Sequence, residues 1–249
     1  MPHPNFVAAG PAKPRFGGWV TFESFALVEQ LASLPFDYLG LDTQHGMLDV
    51  PTVARLLYAV PIDGLPTIVR VPANDAAQIG KILDCGADGV IVPMVNTGEE
   101  AAAAVAACRY APDGIRSFGP VRRHMGRDPA VLQERVACFV MVETVEAMRN
   151  IEEIVRTPGL TGIYLGPADL SVSMELPPVK SPTDPALREA QRTVAKACAR
   201  AGIVAGGHGL SAAHVAEMKE DGFGLISLSG DKGYLLAGAT ALLDQCRDG

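Results

Sequence analysis

Short apolar runs and helical segments alternate about eight times along this chain, and that alternation constrains the fold more than any other feature. The runs are "GWVTFE", "FDYLGLDT", "PTIVRVP", "GVIVPMV", "CFVMVET", "GIYLGP", "IVAGGHG" and "GLISLSG". Each is rich in Val, Ile, Leu or aromatics and too short for a helix. Most lack strict apolar/polar alternation, as expected of parallel strands covered on both faces. Between them lie helical segments such as "DAAQIGKILDCGA", "TGEEAAAAVAACRYA", "TVEAMRNIEEIVRTPG" and "DPALREAQRTVAKACARAG". In the third, Val145, Met148, Ile151, Ile154 and Val155 repeat at helical spacing. Asp75 and Thr97 stand where N-caps belong, and Glu100 follows Thr97 in a capping-box pattern. Gly86, Gly159, Gly202 and Gly222 read as helix stops. Alternating strands and helices demand a parallel sheet with helical crossovers, and eight units fit a (β/α)8 TIM barrel. A doubly wound open sheet is the alternative. It would more naturally carry a Gly-rich phosphate turn after its first strand, and none is there.

The 249 residues suit a single barrel domain spanning 1–249, with a flexible N-terminal segment over about 1–15. A composition 48% hydrophobic and 20% charged can bury a sizeable core, and the net charge of −7 argues against a nucleic-acid partner. It leaves open an anionic small substrate, because a local arginine or metal outweighs the global field. No apolar run reaches the ~18 residues of a membrane span. The start, "MPHPNFVAAGPAKPRFGG", lacks the charged head and apolar core of a secretory signal. Five widely spaced cysteines form no CxxC pair and no His/Cys metal pattern. They read as reduced thiols of a cytoplasmic protein, several of them core filler.

Chemically able residues gather where the runs end. The second run ends on Asp42 and His45, the third on Arg70, the fourth on Pro93, Met94 and Asn96, and the fifth on Glu143. The sixth leads to Asp169, the seventh to His208, and the eighth to Ser229 and Asp231. In a barrel those ends converge on one mouth, where barrel enzymes keep their active sites. Each residue also has a plainer reading. Arg70, between Val69 and Val71, suits a core arginine paired with a carboxylate. Glu143 and Asp169 suit helix caps, His45 a structural or exposed turn residue, and Met94 and Met141 packing. His3 and His124 have no informative context, and His214 lies in a helix. Taken together, two carboxylates and an imidazole at an open pocket suit a hard divalent cation that keeps some waters. An arginine beside such an ion repels it, and gains a purpose only by holding an anionic oxygen that the ion also touches.

"FDYLGLDTQHG", "VRVPANDAAQIGKILDCGADGVIVPMVNTGEEA", "GIRSFGP", "VMVETVEAMRNIEEI" and "GIYLGPADLS" together resemble the HpcH/HpaI aldolases. These are class II, metal-dependent pyruvate aldolases, including 4-hydroxy-2-oxoheptanedioate aldolases. The resemblance runs from about Gly18 to Ser171 and is looser beyond. It implies a (β/α)8 barrel assembled as a hexamer, a trimer of dimers, with the last helix exchanged between subunits; "GYLLAGATALLDQC" suits that exchange. It implies Glu143 and Asp169 as the protein ligands of the metal and Arg70 as the group on the substrate's keto oxygen. His45 becomes part of the acid/base apparatus, with Asp42 and Asp84 linked to its orientation. The backbone of Gly166, Pro167, Ala168 and Asp169 is expected to receive the carboxylate of pyruvate at a helix start. Gln44 and Met141 depart from the family, where a glutamate and a glutamine are common. The loop over residues 116–119 also departs, which makes it a candidate for shaping specificity.

The implied reaction makes or cleaves the bond between a pyruvate enolate and an aldehyde. Mg2+ or Mn2+ is expected, with Co2+ or Zn2+ also accepted by such ligands. No Schiff-base lysine is called for, and none of the runs ends on lysine. Two rivals stand beside it. One is a citrate-lyase-β-like enzyme acting on CoA thioesters, for which Arg109, Arg116, Arg122, Arg123 and Arg127 form the basic run; its plainer reading is a solvated loop or a subunit contact. The other is a catalytically inactive barrel with a binding role.

Overall fold

Each of the eight apolar runs forms a strand in the computed structural model of the chain, which describes residue 6 and residues 9–59, 65–178 and 184–247. The strands are β1 (Arg15–Val20), β2 (Tyr38–Asp42), β3 (Thr67–Arg70), β4 (Gly89–Val92), β5 (Ala137–Val142), β6 (Gly162–Leu165), β7 (Val204–Gly209) and β8 (Leu225–Leu228). All pair in parallel in chain order, and β1 closes the ring against β8. This is the (β/α)8 barrel expected from the alternation. The helices are α1 (Phe25–Ala32), α2 (Val50–Ala59), α3 (Ala76–Asp84), α4 (Gly98–Cys108), α5 (Pro129–Glu134), α6 (Val145–Arg149), α7 (Ile151–Ile154), α8 (Pro167–Ser173), α9 (Pro185–Ala201), α10 (Ala212–Asp221) and α11 (Asp231–Arg247).

The local signals act as their chemistry dictates. Asp75 accepts the Gln78 N–H at 2.9 Å, and Thr97 accepts the Glu100 N–H at 3.1 Å. The Glu100 carboxylate returns to the Asn96 N–H at 2.6 Å, one residue earlier than a regular capping box. Gly202 and Gly222 end α9 and α10 at φ of 70° and 109°, where a side chain would be strained. The segment after Glu143 differs from its periodicity. It breaks into α6 and α7 at Asn150, whose side chain donates to the Asn96 carbonyl at 2.8 Å.

Two apolar layers explain why the strands show no simple polarity pattern. Leu39, Leu41, Val69, Val90, Val140 and Ile163 face outward under the helices. Trp19, Tyr38, Ile68, Phe139, Met141 and Tyr164 face inward and fill the barrel. Glycines on neighbouring strands make room for the aromatics: a Cβ on Gly17 would overlap Tyr38, and one on Gly40 would overlap Trp19. Of the segment expected to be flexible over about 1–15, the structure describes residue 6 and residues 9–15. Phe6 is fully buried, edge-on to Tyr38 at 5.8 Å and to Phe139 at 6.4 Å, and Arg15 already belongs to β1. The Phe6 ring packs against the aromatics inside the barrel.

The inward row sets the site. Side chains alternate along a strand, so the row holding Tyr38 and Gly40 continues to Asp42. The row with Ile68 continues to Arg70, and the row with Phe139 and Met141 continues to Glu143. All three residues line the cavity at the mouth.

Candidate active site

A cavity of about 660 Å³ opens at the C-terminal ends of the strands. It is lined by Asp42, His45, Arg70, Glu143, Gly166, Pro167, Ala168, Asp169, His208, Ser229 and Asp231 among others. The strand-end residues that the sequence singles out therefore share one chamber, apart from Pro93, Met94 and Asn96; Asp84, on a helix, also lies outside it.

Asp42 organises one side. It is buried, and register places it directly beside Arg70 on the next strand. Oδ1 accepts Arg70 Nε at 2.8 Å, the Gln44 N–H at 3.0 Å and the His45 N–H at 3.2 Å. Oδ2 accepts Arg70 Nη2 and, at 3.4 Å, Trp19 Nε1. Burial pushes the Asp42 carboxyl up, but hydrogen bonds and charge from Arg70, with the two backbone donors, hold it below its ordinary value. The polar turn after β2 is thus folded around one carboxylate. Gly46 is required there because a Cβ would strike the Asp42 carbonyl. The His45 ring is exposed at the rim and makes no side-chain hydrogen bond among the described residues.

Arg70 is paired with a carboxylate, as its plain reading expects, and still lines the cavity. Its Nε and Nη2 grip Asp42, its guanidinium lies 5.5 Å from the Trp19 ring centre, and Nη1 makes no hydrogen bond among the described residues.

Glu143 lines the same chamber as Arg70 and is buried. Its Oε1 accepts the Met94 N–H at 2.7 Å, and Met94 adopts a left-handed φ of 56° to deliver it. Its Oε2 is buried with no hydrogen-bond partner among the described residues. Burial chiefly pushes the carboxyl up to about 7; the Met94 N–H opposes this, Asp169 adds to it and Arg70 opposes it. A Cβ on Gly166 would overlap this Oε2, so the glycine keeps the space in front of it open. A buried acceptor with no donor, next to a second acid, fits a divalent cation held by Glu143 and Asp169. Among the described residues no group of three or more His, Cys, Asp or Glu is placed to hold a metal ion, so substrate or water would have to complete the coordination of an ion on these two acids.

The expected carboxylate cradle is narrower than four residues. The Gly166 N–H already donates to the Val142 carbonyl at 3.2 Å, and Pro167 has no N–H. Only Ala168 and Asp169 keep backbone donors at the start of α8.

Several expectations are corrected. Asp84 ends α3, accepts Arg116 Nη2 at 2.7 Å and does not line the cavity within the chain. The loop over 116–119 does not line the cavity within the chain, because buried Arg116 is drawn to Asp84 and over the Tyr110 ring at 4.6 Å. Arg122 donates to the Leu57 carbonyl at 2.6 Å and lies 3.9 Å from the Tyr58 ring centre. These two arginines of the basic run hold the fold, which weakens the case for a nucleotide-tail site. Asn96 accepts from Thr144 outside the cavity. Asp231 accepts from Thr21 Oγ1, at 2.6 Å, and from the N–H groups of Thr21, Phe22 and Lys232, so it clamps β1 to α11. His214 is buried against Gln191, His3 lies outside the described residues, and so does the His124 side chain.

Sequence reasoning missed the aromatic floor. Trp19 stacks on Tyr164 at 6.0 Å and meets His208 edge-on at 5.2 Å. The Tyr164 hydroxyl donates to Ser227 at 2.8 Å, and His208 Nε2 lies 2.6 Å from the Ser229 carbonyl, which fixes the proton on that nitrogen. Both aromatics sit on inward rows, and that parity was the signal available.

The profile of the HpcH/HpaI aldolase/citrate lyase family matches residues 15–235. The chain is 34% identical to a hydroxypyruvate/pyruvate aldolase of Rhizorhabdus wittichii, over 94% of this chain and 95% of that protein. It is 38% identical to a 4-hydroxy-2-oxo-heptane-1,7-dioate aldolase of Escherichia coli, over 68% of each. A crystal structure of a HpcH/HpaI aldolase/citrate lyase family protein from Burkholderia cenocepacia superposes with a TM-score of 0.86 at 30% identity, over 94% of this chain and 95% of that one. The closed eight-stranded barrel, the acids and arginine at its mouth and this full-length similarity make the chain a member of the HpcH/HpaI aldolase/citrate lyase family.

Proposed function

We propose that the chain is a metal-dependent carbon–carbon lyase that makes or cleaves the bond between the enolate of pyruvate and an aldehyde. Its relatives named as pyruvate and 4-hydroxy-2-oxoacid aldolases support this reading. The observation that carries it is the buried, partnerless Oε2 of Glu143 beside Asp169, with the spare Nη1 of Arg70 in the same chamber.

Glu143 and Asp169 would hold the cation, Mg2+ or Mn2+ in preference to Co2+ or Zn2+. Bound there, it supplies Lewis-acid stabilisation of charge on the 2-oxo oxygen. Arg70 Nη1 donates to that same oxygen as negative charge builds on it, and one such donor is typically worth ~3 kcal/mol. Asp42 holds Arg70 in place. The N–H groups of Ala168 and Asp169 receive the carboxylate of pyruvate. In cleavage, His45 takes the proton of the C4 hydroxyl, the C3–C4 bond breaks, and its electrons move to the 2-oxo oxygen as the aldehyde departs. The enolate then takes that proton at C3 from His45 and leaves as pyruvate; in synthesis His45 removes a C3 proton from pyruvate and delivers it to the new alkoxide.

The test is pyruvate with a panel of aldehydes, repeated across the four metals and after exhaustive EDTA treatment. Metal-restored turnover and no covalent adduct on borohydride trapping are expected. Activity that survives EDTA, or a trapped adduct, defeats the reading.

A homo-oligomer, a hexamer built as a trimer of dimers, completes the proposal. It is supported by α11, which exposes Leu235 at 65%, Leu236 at 56%, Leu242 at 63% and Leu243 at 53%. Sedimentation of Leu242→Asp with Leu243→Asp should show a smaller species than the wild type. A cytoplasmic location fits five cysteines that are all free thiols, and no described helix is long and apolar enough to cross a membrane.

A further inference from the structure

A buried series of polar groups crosses the barrel and ends at the cavity. It starts at the Tyr38 hydroxyl, 2.9 Å from Ser227 Oγ, and continues through the Tyr164 hydroxyl, 2.8 Å from the same oxygen. The Tyr164 hydroxyl lies 3.3 Å from His208 Nδ1, and His208 Nε2 donates to the Ser229 carbonyl at 2.6 Å. Tyr38, Ser227 and Tyr164 are buried and come from β2, β8 and β6; His208 comes from β7. Burying polar groups costs free energy unless they are paired, and a paired network fixes geometry. Here the pairing converges on one residue.

That residue is Ser229, which follows β8 with a left-handed φ of 48°, a conformation strained for a residue with a Cβ. Two hydrogen bonds hold it there. His208 grips its carbonyl, and its own N–H donates to the Gly209 carbonyl at 2.9 Å. The Ser229 hydroxyl, by contrast, makes no hydrogen bond among the described residues, and the residue lines the cavity. A Cβ on Gly233, which lines the same wall, would lie 2.3 Å from Ser229 Oγ, so the glycine keeps space beside that oxygen. The nearby carboxylate of Asp231 is already engaged by four N–H and O–H donors.

Ser229 also stands near the reacting end of the chamber. The His208 ring meets Trp19 edge-on at 5.2 Å, and the Arg70 guanidinium lies 5.5 Å from the same Trp19 ring. One indole therefore separates the residue that grips Ser229 from the residue proposed to act on the 2-oxo oxygen. A substrate oxygen that reaches Ser229 is borne close to the reacting carbons. A serine hydroxyl both donates and accepts, which matches another neutral hydroxyl.

We infer that Ser229 is a specificity-determining residue and that His208 is the positioning residue that aims it. The Ser229 hydroxyl hydrogen-bonds a hydroxyl on the acceptor carbon next to the aldehyde. The inference rests on the lyase reading above and deepens it by assigning acceptor choice to a residue. The test compares kcat/KM for glycolaldehyde with that for acetaldehyde, each with pyruvate, on the intact protein. The ratio should fall roughly fivefold in Ser229→Ala, the worth of about one neutral hydrogen bond. Ser229→Gly should lose the same factor yet resist urea better than Ser229→Ala, because glycine adopts the left-handed φ without strain. His208→Leu should also lower the ratio, and His208→Gln, whose amide N–H stands in for Nε2–H, should restore most of it. Equal ratios in the wild type, Ser229→Ala and Ser229→Gly overturn the inference and leave the lyase reading intact; an unchanged ratio in His208→Leu overturns the positioning role.

A second measurement needs no turnover. Trp19 is the single tryptophan and lines the cavity, so its fluorescence reports occupancy. Without pyruvate, glycolaldehyde should bind the wild type roughly fivefold more tightly than Ser229→Ala; equal Kd values overturn the inference. If no aldehyde reacts with pyruvate, the lyase reading fails, and the fluorescence result still decides the role of Ser229.

Discussion

Replacing Glu143 by glutamine should stabilise the metal-free protein, although it removes a residue proposed to hold the metal. The amide keeps an acceptor for the Met94 N–H and discards the charge. In the metal-free chain, burial first and Asp169 next raise the Glu143 carboxyl from 4.5 to about 7, against the Met94 N–H and Arg70. Below pH 4.5 folded and unfolded chains both carry the proton. Between 4.5 and 7 the unfolded chain releases it and the folded chain keeps it, so stability falls as pH rises through that window and is flat above it. At 1.36 kcal/mol per pH unit the loss is about 3 kcal/mol. Glu143→Gln lacks this term. Urea unfolding in EDTA should therefore find the two proteins alike near pH 4 and the variant more stable at pH 8, by up to about 3 kcal/mol. Added Mn2+ should reverse the order, because only the wild type gains binding free energy on the folded side. The reasoning is refuted if EDTA-treated wild type loses no stability relative to the variant between pH 5 and 8.

Three further outcomes follow from the same geometry. Arg70→Ala should lower kcat/KM by roughly 10²–10³ while metal content, measured on the purified protein, stays unchanged. Asp42→Asn should cost about 3–5 kcal/mol in urea unfolding by leaving Arg70 buried without its anion, and Asp42→Asn with Arg70→Met should recover most of that; a double variant no better than the single would contradict the pairing. The Asp42 contribution, from a carboxyl held below its ordinary value of 3.8, is present above that pH and lost as pH falls below it. Gly166→Ala should keep the circular dichroism of the barrel yet weaken Mn2+ binding at least tenfold by titration, because the new Cβ intrudes on Glu143 Oε2.

The barrel was legible because each strand is a continuous apolar run punctuated at both ends, and helix stops such as Gly202 and Gly222 are local in cause. Asp42, His45, Arg70, Glu143 and Asp169 were legible for a related reason: polarity appears where a buried strand reaches solvent. The pairings were not. Asp42 meets Arg70 through strand register, and Asp84 meets Arg116 across 32 residues, which no local pattern encodes. Trp19 and Tyr164 were hidden because an aromatic within an apolar run looks like filling whichever face it takes. The used-up N–H of Gly166 was invisible for the same reason as the pairings, since its acceptor, the Val142 carbonyl, belongs to the neighbouring strand.

The Asp231 clamp has a mechanical implication. It fastens the root of α11 to the segment after β1, while the leucines farther along the helix stand in solvent. The same helix contributes Lys232 and Leu236 to the cavity rim. A body gripping the free end would therefore pull on a lever whose fulcrum borders the cavity, and movement of that helix would be felt at the rim.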